Sequence, residues 1–199
     1  MKIWIALLLT APFLFTGCVS VLSGGSAPSM STIRKANTQP PRDITFSVEF
    51  TDELPEMDSF TDKEEVVLAI REAFEESGMF GKVHYVEPNQ PGPYHLRFKV
   101  IMTGTSMNRR LGNGVLAGFT LTTIPVWQST ELDWSMIVFS NGQEVFSAST
   151  EESLTDIIWL PAIIGSPFFN HGTMTGSLHE RAARYFLNEI QKSRLNVSL

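Results

Sequence analysis

The segment Ile44–Phe50 reads Ile-Thr-Phe-Ser-Val-Glu-Phe, with Ile44, Phe46, Val48 and Phe50 on one side of an extended chain and Thr45, Ser47 and Glu49 on the other. A two-residue period cannot line one face of a helix; it demands a strand with one buried face. A lone strand has nothing to bury that face against, so the pattern commits the chain to a sheet with a second layer packed on it. The alternation recurs in Tyr94–Met102, where Leu96, Phe98, Val100 and Met102 interleave with His95, Arg97 and Lys99. Lys82–Val86 reads as a further strand, joined to the next by the turn-forming Glu87–Pro93. Gly118–Trp127 and Thr130–Phe139 are expected to be strands too. Asn141-Gly142 is a strong hairpin signal, and Glu144–Thr150 would return from it.

Two stretches switch to helical spacing. Thr61 precedes Glu64 as in a capping box, Val67, Ile70 and Phe74 share a stripe, and Gly78 is placed to stop the helix. Near the end Ser177 and Glu180 repeat the box, and Leu178, Ala182, Phe186 and Ile190 recur every four residues. The expected order is β-α-β-β-β-β-β-α. It implies an α+β fold: a mainly antiparallel sheet of about five to six strands with two helices packed on one face. Phe46, Phe98 and Phe186 are expected to meet between sheet and helices.

The first residues carry an address. Lys2 precedes an apolar run from Ile3 to Phe15 that is interrupted by Pro12 and too short to span a bilayer, and the run ends in Phe15-Thr16-Gly17-Cys18. This resembles the lipobox of bacterial lipoproteins, with Phe15 where Leu is usual. The resemblance implies cleavage before Cys18 and acylation of its thiol and new amino group. Two or three acyl chains hold a protein firmly where one holds it marginally. Cys18 is the only cysteine, so no disulfide can form within one chain. Val19 in place of Asp after the cysteine implies, by the same resemblance, a Gram-negative outer-membrane location facing the periplasm. Three segments follow: a signal peptide (1–17), the lipidated cysteine with a flexible tether (18–41), and a single periplasmic domain (42–199). The tether is rich in Ser, Gly, Pro and Thr, with a typical reach on the order of 25 Å.

The formal net charge is -6, and no Lys/Arg run exceeds a pair, as at Arg109-Arg110. Nucleic acid is therefore not an expected partner. His84, His95, His171 and His179 form no metal-binding spacing, although His84 and His95 could be neighbours in a sheet. No nucleophile elbow or phosphate-binding loop is present. The acidic run Asp52, Glu53, Glu56, Asp58, Asp62, Glu64 and Glu65 lacks the ligand spacing of a calcium loop. No cofactor, no metal and no enzymatic activity are expected.

Apolar residues stand out instead. Ile157–Phe169 carries no charge and is broken by Pro161, Gly165 and Pro167, so it cannot be one spanning helix. It is either core or a surface for a partner or the bilayer. Trp127 and Trp134 flank a polar segment. The residues named for a partner or membrane surface are Trp127, Trp134, Trp159, Leu160, Ile163, Ile164, Phe168 and Phe169. Ile124-Pro125-Val126-Trp127, with the apolar stretch before the last helix, is similar to small Gram-negative lipoproteins over residues 95–190; that implies location and architecture only. The expected role is a non-enzymatic accessory or assembly factor in an envelope complex with a protein partner, such as a secretion, polysaccharide-export or lipopolysaccharide-transport machine. A carrier of lipid or another apolar ligand is the alternative, and a cell-wall hydrolase the third.

Overall fold

The computed structural model describes residues 17–24, 27–36, 41–51, 63–107, 126–159 and 171–193. Its elements are β1 (Gly17–Gly24), α1 (Met30–Ala36), β2 (Arg42–Phe50), α2 (Lys63–Glu76), β3 (Phe80–Tyr85), β4 (Leu96–Met107), β5 (Val126–Ser140), β6 (Gln143–Trp159) and α3 (His171–Lys192). The strands hydrogen-bond in the order β1-β6-β5-β4-β2-β3. The α+β class stands, and the sheet is mixed, not purely antiparallel. β2 pairs in parallel with β3 on one side and with β4 on the other.

The chain divides into two compact units. The larger comprises Gly24–Thr105, Leu132–Glu152 and Gly176–Leu199. Its core forms where the alternating strands meet amphipathic helices. Ile44, Phe46 and Val48 of β2 and Phe98, Val100 and Met102 of β4 are buried, as are Val66, Ile70, Ala73 and Phe74 of α2. The rings interlock: Phe74 lies 5.9 Å from Phe46 and 5.5 Å from Phe98, both edge-on, and Phe80 lies 5.3 Å from Phe98. Such tilted pairs add to the burial of each ring. The helical stripe is set by Val66 rather than Val67, which is half-buried.

α2 stops where glycine permits it. Gly78 has φ +67°, a left-handed conformation in which a side chain would be strained, and its N–H donates to the carbonyl of Glu75. In α3, Leu178, Ala182, Phe186 and Ile190 are buried as the spacing predicts. The helix begins at His171, however, so Ser177 lies inside it rather than at its N-terminus. α3 packs over β5, whose Leu132, Trp134, Met136 and Val138 are all buried, with the Trp134 ring 5.5 Å from His179. Gly176 approaches Glu65 of α2, so both helices lie on one face, as expected.

A third helix was not expected. α1 falls in the segment read as a flexible tether, yet Ile33 is fully buried, and Gln191 of α3 donates to the Ile33 carbonyl at 2.9 Å. Its seven residues are too few to be stable alone, so packing rather than local propensity makes this helix. β1 lies in the same segment. Residues 25–26 and 37–40 of it lie outside the described residues.

The smaller unit comprises Met1–Ser23, Ser106–Glu131 and Ser153–Thr175. Here polar side chains link neighbouring strands. Ser20 donates to the Asp156 carboxylate, Ser23 and Ser153 hydroxyls lie 2.6 Å apart, and Ser129 and Thr155 hydroxyls 3.3 Å apart. Thr61 and the acidic residues 52–62 lie outside the described residues, as does most of the strand expected over 118–127.

Candidate functional site

The connection from β3 to β4 builds the site. The sequence suggested two strands joined by a turn; instead β2 runs between them. β3 pairs with the first half of β2, Thr45 opposite His84, and β4 with the second half, Phe46 opposite Phe98 and Ser47 opposite Lys99. The chain therefore has only to step sideways across β2, on the face away from α2. It does so over Thr45. The Val86 N–H donates to the Phe46 carbonyl at 2.9 Å, and the Tyr94 N–H to the Thr45 hydroxyl at 3.3 Å. Pro88 and Asn89 turn the chain, with Asn89 at φ 68° and the Gln90 N–H bonded to the Glu87 carbonyl. Lys63 of α2 pairs with Glu87 at the start of the loop. Gly92 lies so close to Thr45 that a Cβ there would overlap the threonine side chain.

The crossing explains why β2 is buried on both faces. Thr45 and Ser47 are fully buried, although the sequence pattern assigns them to solvent. It also separates His84 from His95: β2 lies between β3 and β4, so the two histidines are not sheet neighbours. Among the described residues no group of three or more His, Cys, Asp or Glu could hold a metal.

Between this loop, the outer face of β4 and the β5–β6 turn lies a groove of about 510 Å³, lined by Asn89, Tyr94, His95, Arg97, Lys99, Phe139, Asn141 and Gly142. The turn is fixed by Asn141 (φ 50°) and Gly142 (φ 81°), the paired positive angles of a tight hairpin. The Asn141 N–H donates to the His95 carbonyl at 3.3 Å, tying the hairpin tip to the loop. Lys99 is paired with Glu49 of β2. Arg97 makes no ion pair among the described residues, and its Nε–H is buried without an acceptor. A cation without an ion-pair partner among the described residues thus stands on the groove wall.

The sequence marks His95 only as a histidine weighed for metal and Asn141-Gly142 only as a turn, and joins none of the lining residues into a site. The signal was present in His95, Arg97 and Lys99, three basic side chains at two-residue spacing in an acidic chain. They do not look like a cluster along the sequence, because Leu96 and Phe98 separate them.

The other buried polar groups lie under α3. Burial holds His179 neutral, its pKa pulled down to about 4, and its Nδ1 has no partner among the described residues. Glu152 of β6 is fully buried with Arg181 Nη2 3.3 Å away; burial raises its pKa and Arg181 opposes the rise. Sealed from solvent, His179 cannot reach a substrate in this conformation.

The residues expected to form an exposed apolar surface fare differently. Trp134 is not on a surface: it is fully buried against His179, because it shares a strand face with Leu132, Met136 and Val138. Trp127 lies in β5 and Trp159 ends β6. Leu160, Ile163, Ile164, Phe168 and Phe169 lie outside the described residues. The backbone of Cys18 lies in β1. No helix among the described residues is long and apolar enough to cross a membrane.

No family model and no curated protein matches the chain. Solved structures with some similarity include a PelC dodecamer from Paraburkholderia phytofirmans (8% identity, 83% of this chain and 95% of that chain covered, TM-score 0.40). Another is a neuraminyllactose-binding hemagglutinin homolog from Helicobacter pylori (10% identity, 81% and 88%, TM-score 0.38). A third is a minor lipoprotein from Acinetobacter baumannii (8% identity, 78% and 96%, TM-score 0.37). Similarities of this strength carry no argument about what this chain does.

Proposed function

We propose that the protein is a lipoprotein anchored in the outer membrane through Cys18, facing the periplasm, and that it serves an envelope complex as a non-enzymatic accessory or assembly factor. The anchor rests on the apolar run that ends in Thr16-Gly17-Cys18. The observation that carries the binding role is the groove on β4, where an arginine with no ion-pair partner among the described residues stands among aromatic and amide side chains. Few convergent polar groups in a partly apolar concavity are what recognition requires.

Two measurements test this. Palmitate labelling should be lost and the precursor left uncleaved in Cys18→Ser; normal incorporation in that variant would sink the anchor. A photo-crosslinking residue at Asn89, on the groove rim, should capture an envelope component in living cells that the same residue at exposed Lys82 does not. Equal capture at both positions would remove the groove from the reading, and turnover of a cell-wall substrate by the purified protein would remove the non-enzymatic role.

A further inference from the structure

We infer that the groove on the outer face of β4 is a binding site for an acidic saccharide, a sugar bearing a carboxylate or a phosphate. The inference rests on the groove being a binding surface and adds the chemistry of what it takes.

The charge comes from Arg97. Among the described residues its guanidinium has no carboxylate partner, whereas the neighbouring Lys99 is engaged by Glu49. Arg97 is only half-buried and lines the groove, so an anion presented to its guanidinium there gains a charge-assisted bond. This local positive site stands out in a chain of net charge -6. A duplex nucleic acid needs a basic stripe, which one arginine does not supply.

The rest of the lining fits a sugar better than a bare ion. A volume of about 510 Å³ far exceeds a single phosphate. Asn89 and Asn141 offer amides that both donate and accept, as hydroxyls require. Tyr94 and Phe139 add aromatic surface on which the C–H face of a pyranose ring can lie. The frame is fixed before any ligand arrives, by the Tyr94–Thr45 and Asn141–His95 hydrogen bonds. Such pre-organisation limits the entropy lost on binding.

The test uses the full chain purified in neutral detergent and titrated calorimetrically with a galacturonic acid trimer. Neutral maltotriose, inorganic phosphate and phosphatidylglycerol vesicles serve as comparison probes. Wild type should bind the acidic trimer, more weakly as salt rises, and maltotriose at least tenfold less tightly. Arg97→Gln should weaken trimer binding about tenfold or more with its thermal melt preserved. Lys82→Gln, away from the groove, should bind as wild type does. Should Arg97→Gln fold poorly, Tyr94→Ala provides the second variant and should also lose affinity. Equal affinity for acidic and neutral trimers, or trimer binding indifferent to both groove variants, would overturn the inference. So would phosphate alone competing as well as the trimer, or Arg97-dependent binding of the vesicles without binding of the trimer. If the trimer fails to bind while the crosslinker at Asn89 still captures a protein, the saccharide is wrong and the accessory role stands.

Discussion

β2 and β4 present two faces that differ in what covers them. On one face Phe46 and Phe98 meet Phe74 of α2, rings interlocked at 5.5–5.9 Å. On the other, Thr45 and Ser47 sit opposite Arg97 and Lys99, crossed by a loop instead of a helix. Both faces of β2 exclude water, but only the first does so with apolar atoms. Apolar burial supplies most of the stability of a domain, whereas a buried hydroxyl gains little beyond the water it gave up. The helix-covered face therefore carries the fold. The loop-covered face leaves room for recognition, because its polar groups can be exchanged at small cost.

The largest expected effect lies on the helix-covered face. Phe98→Ala should lower unfolding stability by about 3–5 kcal/mol, read by urea or thermal melting, since it removes a ring that touches both Phe74 and Phe80. A shift near zero would break the comparison at its base.

Next comes a pH effect on the same face. Burial lowers the pKa of His179 from 6.5 to about 4, so the unfolded chain takes up a proton first as the pH falls. The stability tied to the neutral imidazole is complete above 6.5 and is lost progressively down to about 4. Wild type should therefore lose up to about 3 kcal/mol more than His179→Phe over that range. Glu152 works in the opposite sense, its raised pKa favouring the folded state as the pH falls. Because it is present in both proteins, the difference between their melting curves isolates the histidine. Parallel curves would mean that His179 is not sealed.

On the loop-covered face the effects shrink. Gly92→Ala forces a methyl into Thr45 and should cost about 1–3 kcal/mol, with weaker binding of any groove ligand as the loop lifts. Ser47→Ala removes a fully buried hydroxyl that has no partner among the described residues, and should change stability by less than about 1 kcal/mol, towards greater stability. A loss of several kcal/mol there would show that this face also holds the fold together.

The candidate site was legible only in fragments. Alternation in Tyr94–Met102 separates Arg97 and Lys99 from Phe98 and Val100, which is why the buried side of β4 could be read in advance. The same local pattern is silent about neighbours. Phe139 and Asn141 reach the groove because β5 lies beside β4, and Asn89 and Tyr94 because the loop crosses β2. Tryptophan gave the opposite lesson. Trp134 was a surface candidate by residue type, yet its strand period with Leu132, Met136 and Val138 places it in the core. Period was the better guide, since a strand cannot turn one side chain outward without turning the whole face.

By itself the sequence determined the elements with strong local signals. These are the period of β2 and β4, the Gly78 stop, the Asn141-Gly142 turn, the Leu178–Ile190 stripe and the apolar run ahead of Cys18. Each depends on a few neighbouring residues and on the limits of backbone geometry. Only the tertiary structure decided that β3 and β4 flank β2 in parallel, that β1 and α1 form in a segment composed like a linker, and that Thr45 and Ser47 are shielded. An alternating strand can pair with either orientation at either edge, and a seven-residue helix persists only where something covers its apolar side. Those choices were made by what the rest of the chain brought alongside, and the groove is their consequence.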